Sequence, residues 1–201
     1  MREEKLPDNS TSPWWMATLA LIALAAWAAA GALLWQERAE GQPVNPFLKI
    51  ATVLQHPRCL NCHPRDDNPL QGSDNHPHLM KIARGADDKG AVAARCYACH
   101  RDENNAVSGV PGAPHWQLAP ASMGWQGLSP GELCAVLKNP QLNGNRSLAD
   151  LVKHMDEDKL VLWGWDPGQD VGGKSREPVP IPHAEFVSLL KEWAALDGAC
   201  P

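Results

Sequence analysis

The sequence predicts a mainly α-helical, loop-rich protein, in which one N-terminal transmembrane helix precedes a small soluble domain of short helices and long loops. A run of 22 residues, 14–35, contains no charged side chain. Several later segments repeat apolar residues at helical spacing, and none shows the alternation typical of a strand. The 18 prolines and 16 glycines among 201 residues indicate long irregular connections between these helices.

The apolar run WWMATLALIALAAWAAAGALLW is long enough to span a bilayer, since a helix of this length measures about 33 Å. Tryptophans at both ends suit the headgroup regions of a membrane. A cleaved signal peptide is the alternative, with Ala28 and Ala30 in an A-x-A pattern, but its apolar part typically has about 7–15 residues. We therefore expect an uncleaved anchor at residues 14–35.

The rest of the chain divides around this anchor. Residues 1–13 form a polar tail, residues 36–45 a linker with Gly41 and Pro43, and residues 46–201 the soluble domain. Basic residues flank the anchor on both sides, so the positive-inside rule does not fix its orientation.

Four helices are expected in the soluble domain. The first, in PFLKIATVLQH, has Phe47 and Ile50 at helical spacing. The second, in SPGELCAVLKN, begins with Ser129 as N-cap and Glu132 as its partner in a capping box. The last two carry apolar faces, which are Leu148, Leu151, Val152 and Met155 in SLADLVKHM, and Phe186, Leu189, Leu190, Trp193 and Leu196 in HAEFVSLLKEWAAL.

Two motifs of the same form, RCLNCH and RCYACH, follow the first helix. Their shared residues are Cys59, Cys62 and His63 in the first motif, and Cys96, Cys99 and His100 in the second. Two C-x-x-C pairs can hold zinc. However, the spacer of 33 residues between them is longer than the roughly 15–20 of a compact zinc ribbon, and a four-cysteine site leaves both histidines without a role.

The C-x-x-C-H form has a second chemistry that uses all six residues. Its two thiols form thioethers with the vinyl groups of a haem, and the adjacent histidine binds the iron from the proximal side. We therefore predict two covalently bound haem c groups, which makes residues 46–201 a small dihaem cytochrome c domain. Haem c is attached on the outer side of the bacterial inner membrane, so we expect residues 1–13 in the cytoplasm and the domain in the periplasm.

The two remaining cysteines, Cys134 and Cys200, lie in no motif. An even pair in an oxidising compartment tends to form a disulfide, which here would tie the helix at 129–139 to the C-terminus. Two buried free thiols are the alternative.

The sequence does not determine which residue binds the distal side of each iron, because several histidines and methionines are available. His76 and His78 flank a proline in a loop between the two motifs, from which they could reach either iron. His115 and Met123 lie in loops after the second motif, and Met123 resembles the methionine of ordinary cytochrome c loops. We favour these four; His56, His154, His183, Met80 and Met155 are further candidates.

The domain resembles a family of exported dihaem c-type proteins often labelled "isoquinoline 1-oxidoreductase subunit". The matching stretches are HPRCLNCHP, HPH, ARCYACH, GVPGAPHWQLAPASM, ELCAVLKNP, LVKHM and the terminal ACP. The iron–sulfur subunit of a molybdenum hydroxylase needs four cysteines for each cluster, and only two cysteines here lie outside the haem motifs. The resemblance therefore implies a cytochrome that takes electrons from such an enzyme. The anchor is a departure from typical exported members.

The sequence is consistent with three functions. The first is an anchored electron carrier between redox partners, such as a dehydrogenase, an oxidase or a photosynthetic complex. The second is a small dihaem enzyme or gas sensor with one open iron, and the third is a zinc-knuckle interaction protein. The net charge of −5 and the lack of a basic patch argue against nucleic acid as a partner.

Overall fold

The computed structural model describes residues 26–28, which are helical, and residues 44–201. The predicted tail at 1–13, most of the predicted anchor at 14–35 and most of the linker lie outside the described residues. Among the residues that are described, no helix combines the length and the apolar character needed to cross a membrane.

Residues 44–201 form short helices joined by long loops, as the sequence predicted. The α-helices are α1 (Pro46–Leu54), α2 (Pro57–Leu60), α3 (Pro130–Lys138), α4 (Leu148–Glu157), α5 (Lys159–Leu162) and α6 (His183–Ala195). Two 3₁₀ turns, Cys96–Ala98 and Ala121–Met123, lie between α2 and α3. A small antiparallel hairpin pairs β1 (Leu70–Gln71) with β2 (His76–Pro77).

The longer helices start at side chains that satisfy their free backbone N–H groups. The predicted capping box of α3 is present, because Ser129 and Glu132 bond each other's backbone N–H groups. A second capping box, Ser147 with Asp150, starts α4. At α1 the side chain of Asn45 accepts a hydrogen bond from the N–H of Phe47.

The hydrophobic core lies between α1, α3, α4 and α6. Phe47 of α1 packs on Trp193 of α6, with ring centroids 5.2 Å apart. The completely buried side chains also include Ile50, Leu133, Leu137, Leu151 and Leu190. The first motif begins two residues after the turn that ends α1, so this core fixes its position.

The structure joins Cys134 of α3 to Cys200 in a disulfide, as the sequence predicted. Cys134 is fully buried, whereas Cys200 lies near the surface at the chain end. The bond therefore holds the C-terminal segment against the core.

Two expectations about local structure were wrong. Leu196 was predicted on the apolar face of the last helix, but it is 52% exposed, because α6 ends at Ala195 and Leu196 is only its C-cap. The hairpin of β1 and β2 was not foreseen, since strands of two residues are too short to show alternation.

Candidate functional site

The first motif starts in α2 and ends in the turn that follows it. Cys59 lies in α2, and the backbone N–H groups of both Cys62 and His63 donate to the carbonyl of Cys59. The arginine before the motif is buried: Arg58 donates through Nε to the carbonyl of Glu177 and through a guanidinium nitrogen to Ser73 Oγ, both at 2.8 Å. These contacts fix the motif on both sides.

The ring of His63 is held so that one nitrogen is left free. Its Nδ1 lies 2.8 Å from the carbonyl oxygen of Met123. A carbonyl only accepts, so Nδ1 carries the hydrogen and Nε2 keeps its lone pair. Burial lowers the pKa of His63 to about 3, which keeps the imidazole neutral at physiological pH. The buried ring of Trp125 stacks on it, with centroids 3.3 Å apart and planes 11° from parallel.

The second motif begins at the 3₁₀ turn Cys96–Ala98, in a loop rather than in the core. The N–H of Cys96 donates to the carbonyl of Lys89 at 2.9 Å. Arg95 forms two hydrogen bonds with the carboxylate of Asp87, at 2.8 and 2.5 Å. Cys99 is exposed, so this motif lies nearer the surface than the first.

His100 repeats the arrangement of His63. Its Nδ1 lies 2.7 Å from the carbonyl oxygen of Pro111, and Trp116 stacks on the ring with centroids 4.4 Å apart and planes 3° from parallel. Burial lowers the pKa of His100 as well. Both motif histidines are therefore neutral, oriented and free at Nε2, which is how a protein prepares an imidazole for a metal.

A glycine follows the acceptor carbonyl in both loops. A Cβ on Gly124, after Met123, would stand 2.7 Å from the carbonyl oxygen of Pro64. A Cβ on Gly112, after Pro111, would stand 2.2 Å from that of Glu103. The absent side chains let each loop run close behind its motif, so that the carbonyl reaches the histidine.

A cavity of about 190 Å³ opens beside the first motif. Cys59, Cys62 and His63 line it together with mostly apolar side chains from α1, α4, α6 and the loops. The indole N–H of Trp125, which also lines the cavity, is buried without a hydrogen-bond partner in the described part of the chain. Two cysteines, a metal-ready histidine, apolar walls and an unpaired donor fit a thioether-bound haem.

The cysteines do not form a zinc cluster. A structural zinc ion needs about four such ligands around one point. Within residues 26–28 and 44–201, no three histidine, cysteine, aspartate or glutamate side chains converge in this way. All four motif cysteines are free thiols, and burial raises the pKa of Cys59 to about 12. Burial, and secondarily the charge of Cys96, raise the pKa of Cys62 to about 12 as well.

The four favoured distal candidates lie at different places in the structure. His78 faces the second motif, with its ring centroid 6.4 Å from that of His100. His76 is tied to the carboxylate of Asp74, with Nδ1 and Oδ1 2.6 Å apart.

The other two favoured candidates line the first cavity. His115 is exposed. Met123 is buried, and its backbone carbonyl supports the Nδ1 side of His63. The roles of all four residues as ligands stay predictions.

His154 was given less weight from the sequence, yet it lines the first cavity beside Met155. Its Nδ1 lies 3.3 Å from Asp158 Oδ2 on the next turn of chain. The signal was present in the sequence as a histidine beside an apolar helix face with an aspartate four residues later. Met155 packs into the core and is 4% exposed.

Aromatic rings connect the two sites. Trp116, stacked on His100, meets Trp163 edge to face with centroids 5.1 Å apart. Trp163 lines the cavity of the first motif, and its indole N–H donates to Asn104 Oδ1 at 2.9 Å. The stacking tryptophans were missed from the sequence, although both lie shortly after a glycine: Trp125 directly follows Gly124, and Trp116 lies four residues after Gly112.

No protein-family model matches the chain, and neither a curated protein nor a solved structure does. The family resemblance drawn from the motifs therefore stays a prediction.

Proposed function

We propose that this chain is a membrane-anchored, periplasmic dihaem c-type cytochrome. It transfers electrons between a dehydrogenase or membrane redox complex and another redox partner. Residues 14–35 hold it at the membrane, and the domain from residue 46 carries two covalent haem c groups. The resemblance of the motifs to exported dihaem proteins supports the same class.

The observation that carries the proposal is the duplicated setting of the two motif histidines. His63 and His100 each donate through Nδ1 to a loop carbonyl and each stack on a tryptophan. A histidine that only fills space needs neither a fixed tautomer nor a free Nε2. Finding the same arrangement twice, next to a C-x-x-C pair each time, supports two sites of one chemistry.

The residues of the chain have separate tasks in this proposal. The thiols of Cys59 and Cys62 would hold the first haem, those of Cys96 and Cys99 would hold the second, and His63 and His100 would bind the irons. Bound haem supplies one-electron oxidation and reduction. The apolar walls of the first cavity exclude water, which stabilises the less charged form of a site and so tunes its potential.

The second site is the better place for exchange with a protein partner. Its motif lies near the surface, where Tyr97 is 60% and Val92 is 94% exposed. The first site is enclosed by the core, and the rings of Trp116 and Trp163 lie between the two. We propose that a redox partner would contact the surface around the second motif, because a haem held by Cys96, Cys99 and His100 would lie nearer to solvent than one held by the first motif. The acidic chain suits a basic redox partner.

Binding of carbon monoxide tests the carrier function against the dihaem enzyme or sensor. The full chain is expressed in a host that attaches haem c, reduced with dithionite, and titrated with carbon monoxide. A carrier with both irons six-coordinate shows little or no binding. Stoichiometric binding to one haem in the unmodified protein would favour the enzyme or sensor instead.

A further inference from the structure

We propose that His78 is the axial ligand opposite His100 at the second haem, which rests on the proposed function. The sequence alone left His78 free to serve either iron. The structure brings its ring to His100, on a hairpin that is itself fastened to the first motif.

The separation of the two rings is the separation that one bound iron requires. Each metal–nitrogen bond measures about 2 Å, so an ion held between two imidazoles places the ring centroids roughly 6 Å apart. The centroids of His78 and His100 are 6.4 Å apart, with ring planes at 74°. Edge-to-face packing of aromatic rings covers the same range of distances, so the spin-state and carbon monoxide measurements below decide between packing and a shared metal.

One nitrogen of each ring is engaged by the backbone. Nδ1 of His100 is engaged by Pro111, which leaves Nε2. The N–H of Met80 donates to Nδ1 of His78 over 3.4 Å, so the hydrogen of that neutral ring is on Nε2. This contact is long and weak, and for Nε2 to bind a metal the hydrogen would move to Nδ1 and the bond from Met80 would be lost.

The position of His78 is set by the β1–β2 hairpin. The N–H of His78 donates to the carbonyl of Pro69 at 2.9 Å, and the N–H of Leu79 donates to Gln71 Oε1 at 3.1 Å. The histidine therefore follows directly from a short ladder and does not lie at the tip of a free loop.

The first motif holds this hairpin. Asn61, between Cys59 and Cys62, is nearly buried and donates through Nδ2 to the carbonyl of Gly72 at 3.1 Å. Its Oδ1 accepts from the side chain of Asn75 at 2.8 Å. The N–H of Leu70 donates to the carbonyl of Asn61 at 3.1 Å. The segment that would hold the first haem thus positions His78, the proposed ligand of the second.

Neighbouring candidates are less suited to the second iron. His76, two residues earlier, points its Nδ1 at Asp74. Met80 is 67% exposed, and His115 lines the cavity of the first motif. Of the favoured histidines and methionines in the described chain, His78 is the one recorded in ring contact with a motif histidine.

The test compares His78→Ala with His76→Ala in the full-length, haem-loaded protein. Haem content is measured by the pyridine haemochrome assay, the spin state by electron paramagnetic resonance, and ligand access by carbon monoxide titration. His78→Ala is expected to keep two haems, to convert one from low to high spin, and to bind one more carbon monoxide per chain than the parent protein. His76→Ala, on the same hairpin, is expected to match the parent.

A third variant keeps the proposal testable if the alanine variant folds poorly. In His78→Met both haems are expected to stay low spin. The reduction potential of one haem is expected to rise, because methionine ligation raises the potential relative to histidine. Unchanged spin state, carbon monoxide uptake and potentials in both His78 variants would overturn the assignment while leaving the dihaem cytochrome intact. Absence of haem from the parent protein would instead overturn the proposed function.

Discussion

Breaking the Cys134–Cys200 disulfide is expected to cost the domain about 4 kcal/mol of stability. The bond joins residues 66 positions apart, and the chain-entropy model gives about 4 kcal/mol for closing a loop of that length in the unfolded state. Cys200→Ser is the cleaner variant, because Cys200 lies near the surface and its replacement leaves no cavity. Cys134→Ala removes the same bond but also empties a fully buried position.

Guanidinium denaturation followed by far-ultraviolet circular dichroism measures this effect. Cys200→Ser should lose about 4 kcal/mol of unfolding free energy and about 10 °C in melting temperature. Cys134→Ala should lose at least as much, because the cavity adds to the lost cross-link. Reduction of the parent protein should reproduce Cys200→Ser, and neither variant should alter the haem content.

A loss below about 1 kcal/mol in Cys200→Ser would refute the reasoning. It would mean either that the bond does not form in the native protein or that the unfolded chain is already restricted there. A free-thiol assay on the unfolded parent protein separates these two explanations.

Three further outcomes are expected from the sites. His154→Ala should open the first haem to carbon monoxide, whereas Met155→Leu should not, because the imidazole of His154 lines the cavity and Met155 packs in the core. Trp125→Leu should broaden the spectrum of the first haem and cost about 1–3 kcal/mol in thermal unfolding, while Trp125→Phe keeps the stacking on the proximal ring and costs less. Hydrogen bonds from Arg95 lower the pKa of Asp87 to about 2. This ion pair therefore orders the second motif above about pH 4, and the order is lost as the pH falls toward 2 and Asp87 becomes protonated. An acid titration of the Soret band should show this transition, and Asp87→Asn should lack it.

Local signals in the sequence were enough to predict α1, α3, α4 and α6, whereas the four-residue helices α2 and α5 were not foreseen. The capping residues Ser129 and Glu132 and the apolar spacing of α1, α4 and α6 act within a few residues, so no knowledge of the tertiary fold is needed. The prediction for Leu196 was wrong because apolar periodicity does not show where a helix ends, and α6 ends one residue before Leu196.

The surroundings of the motif histidines could not be predicted in the same way. The contact between His63 and Met123 spans 60 residues, and the one between His100 and Pro111 crosses an irregular loop. Such contacts depend on the path of the loop, which glycines at 112 and 124 make possible and which sequence spacing does not reveal. The motifs can be recognised from local sequence, but the carbonyls and tryptophans that orient their histidines cannot.

The surroundings of the candidate distal ligands could not be predicted from the sequence either. The sequence places His76 and His78 in one loop within reach of either iron, with His78 favoured, and the structure adds that His76 contacts Asp74 while His78 lies beside His100. His154 was given less weight because it sits beside an apolar helix face. Its place in the cavity lining is not visible from helical periodicity.

The central claim, two covalent haem c groups on one chain, is tested most directly by intact mass spectrometry of the protein purified from a host that attaches haem c. The expected mass is that of the chain plus two haems. The Cys59→Ala/Cys62→Ala variant and the Cys96→Ala/Cys99→Ala variant should each have the mass of the chain plus one haem. An unmodified chain mass with four reactive motif thiols, or with bound zinc released by acid, would contradict it.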